Sequence, residues 1–297
     1  MTGRFAPSPT GPLHFGSLVA AVGSWLSARR AGGRWLVRIE DLDTARVVPG
    51  SDDEILRALE RYALRWDGEP VWQSRRQERY AAALEALRAR GLAFDCGCTR
   101  ADLQRAASAP AKGDPVDAAV YPGTCRDGLP EGKLARATRF RVPGRRIHFD
   151  DAVLGSLEED LARETGDFVI KRADGPFAYQ LAVVVDDAEQ GVTEVVRGGD
   201  LVGSTPRQIA LLEALGHPVP RYAHLPLVIG PDGAKLGKRT AALPLPSLDA
   251  DRVSATLARA LEVLGVAGVA LDRPEAMLEE ALGRFDLARV PKGSVTI

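Results

Sequence analysis

The first forty residues constrain the fold more than any other segment of the chain. A short apolar stretch at residues 3–6 ends in the loop Pro7-Ser8-Pro9-Thr10-Gly11-Pro12, whose prolines and glycine stop regular structure. Apolar side chains recur at helical spacing over residues 15–31, and residues 35–39 are typical of a strand that follows a Gly-Gly break. Strand, loop, helix and strand make a βαβ unit. We therefore expect an α/β protein built on a doubly wound, mostly parallel sheet.

The rest of the chain carries further signals of secondary structure. Ser51-Asp52-Asp53-Glu54 has the pattern of a capping box and predicts a helix that runs to Ala63. Proline and glycine at positions 143 and 144 predict a hairpin over residues 138–150. Apolar runs predict extended or buried segments at 167–171, 179–185 and 193–197, and a strand at 225–229. Helical spacing and stop signals predict helices at 75–90, 205–215, 249–265 and 274–282.

Composition excludes several classes of protein. The chain has 39 lysines and arginines against 40 acidic residues, with 45% hydrophobic residues, which are globular rather than disordered proportions. No apolar run approaches the ~20 residues that cross a bilayer, and the first residues lack the pattern of a secretory signal. We expect a cytoplasmic protein without membrane contact. The net charge of −1 does not exclude nucleic acid as a partner, because a local basic face can coexist with a neutral total.

Three cysteines fall in one irregular stretch, residues 94–135. Cys96 and Cys98 are poorly spaced for a mutual disulfide, and Cys125 ends the segment Tyr121-Pro122-Gly123-Thr124-Cys125. Three thiolates and one oxygen or nitrogen donor suit tetrahedral Zn²⁺. We predict a structural zinc site formed by Cys96, Cys98, Tyr121 and Cys125; three buried free thiols are the alternative.

Two segments carry chemistry suited to a nucleoside triphosphate. His14 precedes Gly16 at a predicted loop-to-helix junction, where backbone N–H groups favour phosphate and the imidazole can donate to a phosphate oxygen. Far downstream, Lys235-Leu236-Gly237-Lys238-Arg239 places three cations on a glycine-bearing loop that can fold over a triphosphate. Either segment alone is typical of an ordinary turn or a solvated surface. Both together, in this order, favour a nucleotide site.

The other three histidines carry no comparable signal. His148 lies in the predicted hairpin, which makes it the weaker candidate for a fourth zinc ligand. His217 and His224 flank turns that contain proline, and we expect them to be ordinary surface or packing residues.

The nucleotide segments resemble the two signatures of the class I aminoacyl-tRNA synthetases, here His14-Phe15-Gly16-Ser17 and residues 235–239. Further blocks at residues 4–11, 38–44, 179–187 and 196–208 resemble those of the glutamyl and glutaminyl synthetases. The resemblance implies a Rossmann-like catalytic domain that uses ATP, with Mg²⁺ on its phosphates, as a substrate. It implies that the catalytic residues are His14, Lys235 and Lys238. It also implies that the ATP contacts are Pro7, His14, Gly16, Ser17 and Lys238.

The charge pattern of the same blocks suits an acidic amino acid. Glutamate has two carboxylates and one ammonium, so a selective pocket needs two cations and an anion, and arginine grips a carboxylate with two donors. By resemblance, Arg4 faces the side-chain carboxylate, Glu40 the ammonium, and Arg197 a carboxylate whose identity stays open. The implied glutamate contacts are Arg4, Ala6, Ser8, Glu40, Tyr179 and Arg197. Three nearby acids bind ammonium or ribose, or simply cap turns: Asp43, Asp186 and Asp187.

Two departures separate the chain from an ordinary glutamyl-tRNA synthetase. Only residues 240–297 follow the cationic loop, so we expect no anticodon-binding domain, and the cysteine-bearing stretch replaces the usual acceptor-binding insertion. Both departures resemble the glutamyl-queuosine tRNA(Asp) synthetase family. That resemblance implies activation of L-glutamate without tRNA and its transfer to queuosine at the wobble position of tRNA(Asp). The alternatives are a truncated glutamyl-tRNA synthetase that charges tRNA(Glu), and a non-catalytic paralogue that binds tRNA.

The implied organisation is a catalytic domain in two halves with an insertion between them. Residues 1–93 form the first half, residues 94–135 the zinc-bearing insertion, and residues 136–242 the second half with its cationic loop. Residues 243–297 form a short helical tail. We expect a monomer that holds one Zn²⁺.

Overall fold

The computed structural model describes residues 1–99, 101–103, 120–230, 245 and 250–296. Within these residues the α-helices are α1 Phe15–Arg30, α2 Ser51–Arg61, α3 Gln77–Ala89, α4 Leu161–Glu164, α5 Tyr179–Glu189, α6 Thr205–Leu215, α7 Ala250–Val263 and α8 Pro274–Arg284. The strands are β1 Thr2–Phe5, β2 Arg34–Ile39, β3 Val71–Trp72, β4 Ala93–Cys96, β5 Ala137–Phe140, β6 Arg146–Asp151, β7 Gly155–Asp160, β8 Phe168–Lys171, β9 Glu194–Gly198, β10 Arg221–Leu225, β11 Leu227–Ile229 and β12 Ser294–Thr296. Short 3-10 turns cover Gln73–Arg76, Gly199–Ser204 and Leu287–Arg289.

Parallel strands organise the molecule, as the sequence predicts. Strands β1, β2 and β3 are parallel and adjacent in that order. Strands β9, β10 and β6 form a second parallel set, which the antiparallel strand β7 extends. The Thr193 N–H donates to the Thr2 carbonyl at 2.9 Å, so the β9 edge of one set meets the β1 edge of the other. The carboxyl ends of β1, β2, β9 and β10 therefore lie along one edge of the sheet.

Helix α1 is held tightly between the sheet and the carboxyl-terminal helices. Its residues Leu18 and Leu26 have no exposed surface. At Gly23, an added Cβ would lie 2.6 Å from a methyl carbon of Leu225 on β10 and 3.0 Å from one of Leu264, just after α7. The missing side chain permits this close approach. The packing of α1 fixes where the preceding proline-rich loop meets the edge of the sheet.

One local prediction is confirmed only in part, and another is wrong. Residues 179–185, predicted to be extended or buried, are largely buried but form the start of α5 rather than a strand. Val183, Val184 and Val185 are all buried, and an apolar run without periodicity does not distinguish a buried helix from a strand. Ser51 does not cap α2, because Gly50 precedes the helix at φ 78° and Ser51 is its first residue. The Ser51 hydroxyl instead donates to the Gly11 carbonyl at 2.7 Å and accepts the Gly11 N–H at 3.0 Å, which ties the proline-rich loop to α2.

The expected hairpin over residues 138–150 is also wrong. Strand β5 pairs with β4 and β8 in an antiparallel sheet, whereas β6 pairs with β7 and β10. The hairpin of this region joins β6 to β7, and its turn is held by Asp151 Oδ1, which accepts the N–H groups of Val153 and Leu154. The predicted strand at 225–229 is divided between β10 and β11 at Pro226, which has no N–H to donate.

The predicted helices at 75–90, 205–215, 249–265 and 274–282 are confirmed with small shifts in their ends. The described residues include no helix with the length and apolar character needed to cross a membrane. They also include no anticodon-binding domain, as expected.

Candidate active site

A cavity of about 480 Å³ opens at the carboxyl ends of β1 and β9. The proline-rich loop, the start of α1 and the start of α5 complete its walls. The predicted glutamate and ATP contacts that line it are Arg4, Ala6, Pro7, Ser8, His14, Gly16, Ser17, Tyr179 and Arg197. Glu40 lines an adjoining cavity of about 140 Å³, which shares Ser8 and Tyr179 with the first. Lys235 and Lys238 lie outside the described residues.

Arg197 is a buried cation whose partners among the described residues are all uncharged. Its side chain projects from β9 and the residue is only 5% exposed. Its guanidinium donates to His224 Nε2 at 3.1 Å, Gln208 Oε1 at 2.8 Å, Thr205 Oγ1 at 2.9 Å, the Leu201 carbonyl at 3.3 Å and the Tyr179 hydroxyl at 3.5 Å. These bonds orient the guanidinium but leave its charge without a carboxylate. A carboxylate that enters the cavity is the partner this charge requires.

Arg4 lies in a different electrostatic setting. Its Nε and Nη2 donate to the two carboxylate oxygens of Asp187 at 3.2 and 3.3 Å, and Arg38 Nη1 donates to Asp187 Oδ1 at 2.7 Å. Burial raises the pKa of Asp187, but the adjacent guanidiniums of Arg4 and Arg38 outweigh burial and hold that pKa below its usual range. Asp187 is therefore a charged anchor shared by two arginines, a role that the sequence did not suggest for it.

Asp186 lies on the other side of Arg38 from Asp187 and belongs to the same group of buried charged residues. Its Oδ1 accepts from Arg76 Nε at 2.6 Å, and its Oδ2 accepts from Gln73 at 2.8 Å and from the Tyr80 hydroxyl at 2.9 Å. Arg38 Nε lies 3.7 Å from Asp186 Oδ2. Asp43, the third acid, pairs with Arg46 at 2.7 Å on the rim of the smaller cavity. The side chains of all three acids pair with other side chains of the protein.

Glu40 supplies a carboxyl group whose charge changes near neutral pH. The residue follows β2, and its Oε1 accepts a hydrogen bond from Arg38 Nη2 at 3.3 Å. Burial raises the pKa of Glu40 to about 7 against the opposing effect of Arg38 and Arg4. A cation beside Glu40 would favour the ionised form, because an opposite charge stabilises a carboxylate.

His14 forms the start of α1. It is the N-cap residue, and its Nδ1 accepts the Ser17 N–H at 3.2 Å. Since Nδ1 is an acceptor, the proton of the neutral imidazole lies on Nε2, which is a donor. The positive end of α1 and the line of His14, Gly16 and Ser17 along the cavity suit a phosphate group.

His224 has buried polar partners that the sequence does not indicate. It is predicted to be a surface or packing residue, and it lies buried on β10 with 1% exposure, where it bonds to both Arg197 and Asp151. The available signal was a histidine inside the otherwise apolar run Tyr222-Ala223-His224-Leu225. By contrast, His217 is exposed as expected, and His148 is 64% exposed and pairs with Glu158 rather than with sulfur.

The predicted metal ligands come together. The Sγ atoms of Cys96, Cys98 and Cys125 lie within 4.8 Å of one another, and those of Cys98 and Cys125 are 3.7 Å apart. The Tyr121 hydroxyl lies 3.6 Å from Cys96 Sγ and accepts the Cys125 N–H at 2.7 Å. Arg139 Nε donates to Cys96 Sγ at 3.3 Å, and its guanidinium lies 4.0 Å from the centre of the Tyr121 ring. Three sulfurs, one phenol oxygen and an adjacent cation that offsets thiolate charge fit a tetrahedral zinc site.

Comparison with known proteins gives the class of this molecule. The family model described as the catalytic domain of class I tRNA synthetases (E and Q) matches residues 1–273. A crystal structure of a glutamate tRNA ligase from Elizabethkingia meningosepticum, in complex with its amino acid, superposes with a TM-score of 0.81 at 28% identity. The match covers 100% of this chain and 66% of that one. The fold is thus that of a class I synthetase of the glutamate and glutamine type.

Curated relatives give the particular family. A glutamyl-Q tRNA(Asp) synthetase from Geobacter sulfurreducens is 61% identical over 243 residues, which are 82% of this chain and 77% of that protein. One from Thiobacillus denitrificans is 54% identical over 295 residues, which are 97% of this chain and 94% of that protein. The chain belongs to the glutamyl-Q tRNA(Asp) synthetase family.

Proposed function

We propose that the protein activates L-glutamate with ATP in the absence of tRNA, and then transfers the glutamyl group to queuosine at the wobble position of tRNA(Asp). The relatives' names support the substrates. The observation that carries the proposal is Arg197, a buried guanidinium on the cavity wall whose partners among the described residues are all neutral. Such a group selects an anionic substrate.

The proposed glutamate site uses charges of both signs. Arg197, oriented by its neutral partners, takes one substrate carboxylate, and Arg4, held by Asp187, takes the side-chain carboxylate. Glu40 takes the ammonium, with Tyr179 supplying a hydroxyl and Ala6 and Ser8 closing the wall. Glutamine would leave one guanidinium without a carboxylate, so this arrangement discriminates against it.

The proposed ATP site lies between the start of α1 and the cationic loop at 235–239. Pro7, Gly16 and Ser17 contact the nucleotide, while His14 donates from Nε2 and Lys235 and Lys238 supply positive charge. The substrate carboxylate attacks the α-phosphorus, the bond to the bridging oxygen breaks, and pyrophosphate leaves with Mg²⁺. No protein nucleophile is required, because the attacking carboxylate is already ionised. Catalysis then rests on positioning and on donors aimed at the developing charge.

In the second step, a hydroxyl of the cyclopentenediol of queuosine attacks the glutamyl carbonyl and AMP leaves. The zinc that Cys96, Cys98, Tyr121 and Cys125 would hold takes no part in either step. A four-ligand site is closed, with no open position for water, and its contribution is to folding.

Glutamate-dependent exchange of pyrophosphate into ATP, measured without tRNA, tests the first step. We expect exchange with glutamate and at least tenfold less with glutamine or aspartate at equal concentration, on the scale of one unpaired buried donor. Exchange that needs added tRNA(Glu) would instead indicate a tRNA-charging glutamyl synthetase. An absence of exchange under all conditions would indicate a non-catalytic paralogue.

A further inference from the structure

We propose that His224 and Asp151 are positioning residues for Arg197: they present an unprotonated imidazole nitrogen to its Nε–H and so fix the plane of the guanidinium. The inference rests on the proposed function only in taking Arg197 as the group that binds a substrate carboxylate. Neither residue lines the cavity. His224 contacts Arg197 directly and Asp151 contacts His224, so both influence the cavity only through the orientation of Arg197.

Asp151 is a fixed carboxylate. It ends β6, and its side chain has no exposed surface. Its Oδ1 accepts the backbone N–H groups of Val153 at 3.0 Å, Leu154 at 2.9 Å and His224 at 3.2 Å. Its Oδ2 lies 2.6 Å from His224 Nδ1. Three backbone donors hold Oδ1, so Oδ2 has one orientation relative to the imidazole.

The proton on His224 is determined by its two neighbours. Asp151 is an acceptor, so Nδ1 carries a proton; Arg197 Nε is always a donor, so Nε2 presents its lone pair at 3.1 Å. Thr205 Oγ1 lies 3.2 Å from the same Nε2. Burial lowers the pKa of His224, Asp151 opposes that effect and Arg197 adds to it, and the net lowering agrees with a neutral ring.

The tautomer of His224 determines whether the guanidinium of Arg197 keeps its orientation. The Nε–H points back to His224, while Nη1 and Nη2 are held by Gln208 and Thr205. An imidazole with its proton on Nε2, or with two protons, would place two N–H donors face to face. The guanidinium would then rotate, and its charge would no longer face the substrate carboxylate in the same orientation.

Asp151→Asn tests whether Asp151 orients Arg197 by setting the tautomer of His224. The three backbone N–H groups should keep the amide oxygen at the Oδ1 position, which places the amide NH₂ against Nδ1 and moves the imidazole proton to Nε2. The matched control is Asp150→Asn, the same change at the exposed neighbouring residue of β6. Nitrogen-15 spectra of the histidine side chains, of which the chain has 4, report the tautomer directly.

We expect His224 of the wild-type protein to carry its proton on Nδ1, and the Asp151→Asn variant to carry it on Nε2. The KM for glutamate in pyrophosphate exchange should rise about tenfold or more, as for loss of one charge-assisted hydrogen bond, with the KM for ATP unchanged. Asp150→Asn should change neither. A wild-type proton on Nε2, or an unchanged KM for glutamate after the proton has moved, would overturn the proposal.

His224→Gln supplies a second test that does not depend on Asp151→Asn folding well. Its amide can turn to offer Arg197 an oxygen, so the KM for glutamate should stay closer to the wild-type value than in His224→Leu, which offers none. Adding Asp151→Asn to His224→Gln should cause little further rise, because the tautomer no longer exists. Equal, additive losses in all of these variants would show a purely structural role. A wild-type protein without exchange activity would contradict the proposed function. The nitrogen-15 measurement would still test whether Asp151 sets the tautomer of His224.

Discussion

Arg38 and Arg197 are both deeply buried, but their replacement by alanine should affect different properties. Arg38→Ala should chiefly lower the stability of the fold, and Arg197→Ala should chiefly lower the affinity for glutamate. Arg38 is 0% exposed. Its guanidinium donates to the carboxylates of Asp187 at 2.7 Å and Glu40 at 3.3 Å, and to the side-chain amide oxygen of Gln190 at 2.7 Å. Arg197 is 5% exposed and bonds only to neutral acceptors among the described residues. The first arginine therefore stabilises the fold, and the second is held ready for a ligand.

The magnitudes follow from the partners that each change leaves behind. Arg38→Ala removes the guanidinium that pairs with Glu40 and one of the two guanidiniums at Asp187, and removing one partner of a buried ion pair costs about 3–5 kcal/mol of unfolding free energy. Arg197→Ala strands no carboxylate and removes a charge without a counter-ion, so we expect a loss below about 2 kcal/mol. A substrate carboxylate without its partner costs about 2–5 kcal/mol in binding, which is roughly a 30- to 4,000-fold rise in KM for glutamate.

Two assays separate the variants. Thermal or urea unfolding should rank Arg38→Ala well below Arg197→Ala, and pyrophosphate exchange should show the large rise in KM for glutamate in Arg197→Ala with the KM for ATP unchanged. Arg197→Lys is the control that keeps the charge but loses the planar guanidinium and its fixed orientation, and it should recover only part of the affinity. The reasoning is refuted if Arg197→Ala is the less stable of the two alanine variants or binds glutamate normally.

Further predictions concern pH, the cysteine cluster and the cationic loop. Because burial raises the pKa of Glu40 to about 7 and only its carboxylate binds an ammonium, affinity for glutamate should rise as pH increases through about 7; Glu40→Gln should bind weakly with no such rise in a titration of KM against pH. Cys98→Ser should lower zinc content and the melting temperature, measured by metal analysis and calorimetry, before it alters the KM for glutamate; a metal-free protein of full stability would contradict the ligand assignment. Arg4→Ala should abolish glutamate activation while nucleotide binding, measured by calorimetry, survives; an unchanged KM for glutamate would remove Arg4 from the pocket. Lys238→Ala should slow adenylate formation far more than it weakens ATP binding, since that cation acts as pyrophosphate leaves. Single turnover from preformed glutamyl-adenylate should then be nearly normal in Lys238→Ala, and an equal slowing of both steps would contradict this role.

The sequence predicts the cavity because parallel strands place their carboxyl ends together. Arg4, Glu40 and Arg197, which the family resemblance implies as pocket residues, lie at or beside the ends of three strands. The predicted ligands Cys96, Cys98 and Cys125 converge for a simpler reason, since they lie within one short segment of chain.

The supporting network could not be predicted, because it joins residues that are distant in sequence. Arg4 and Asp187 are separated by 183 positions, and Asp151 and His224 by 73. The sequence indicates neither that His224 lies in a buried strand nor which carboxylate faces it. The sequence predicts that residues 179–185 are extended or buried but not that they are helical, because three buried valines carry no period that distinguishes helix from strand. The roles of Lys235 and Lys238 stay predictions from the sequence.

Transfer of labelled glutamate to purified tRNA tests the central claim most directly. The protein should be incubated with ATP and labelled glutamate in the presence of queuosine-containing tRNA(Asp), queuosine-free tRNA(Asp) or tRNA(Glu), and the product cut with nuclease to locate the label. We predict label on queuosine-containing tRNA(Asp) alone, in the fragment that carries the anticodon. Label at the 3′ end of tRNA(Glu), or equal labelling of tRNA(Asp) with and without queuosine, would contradict the account.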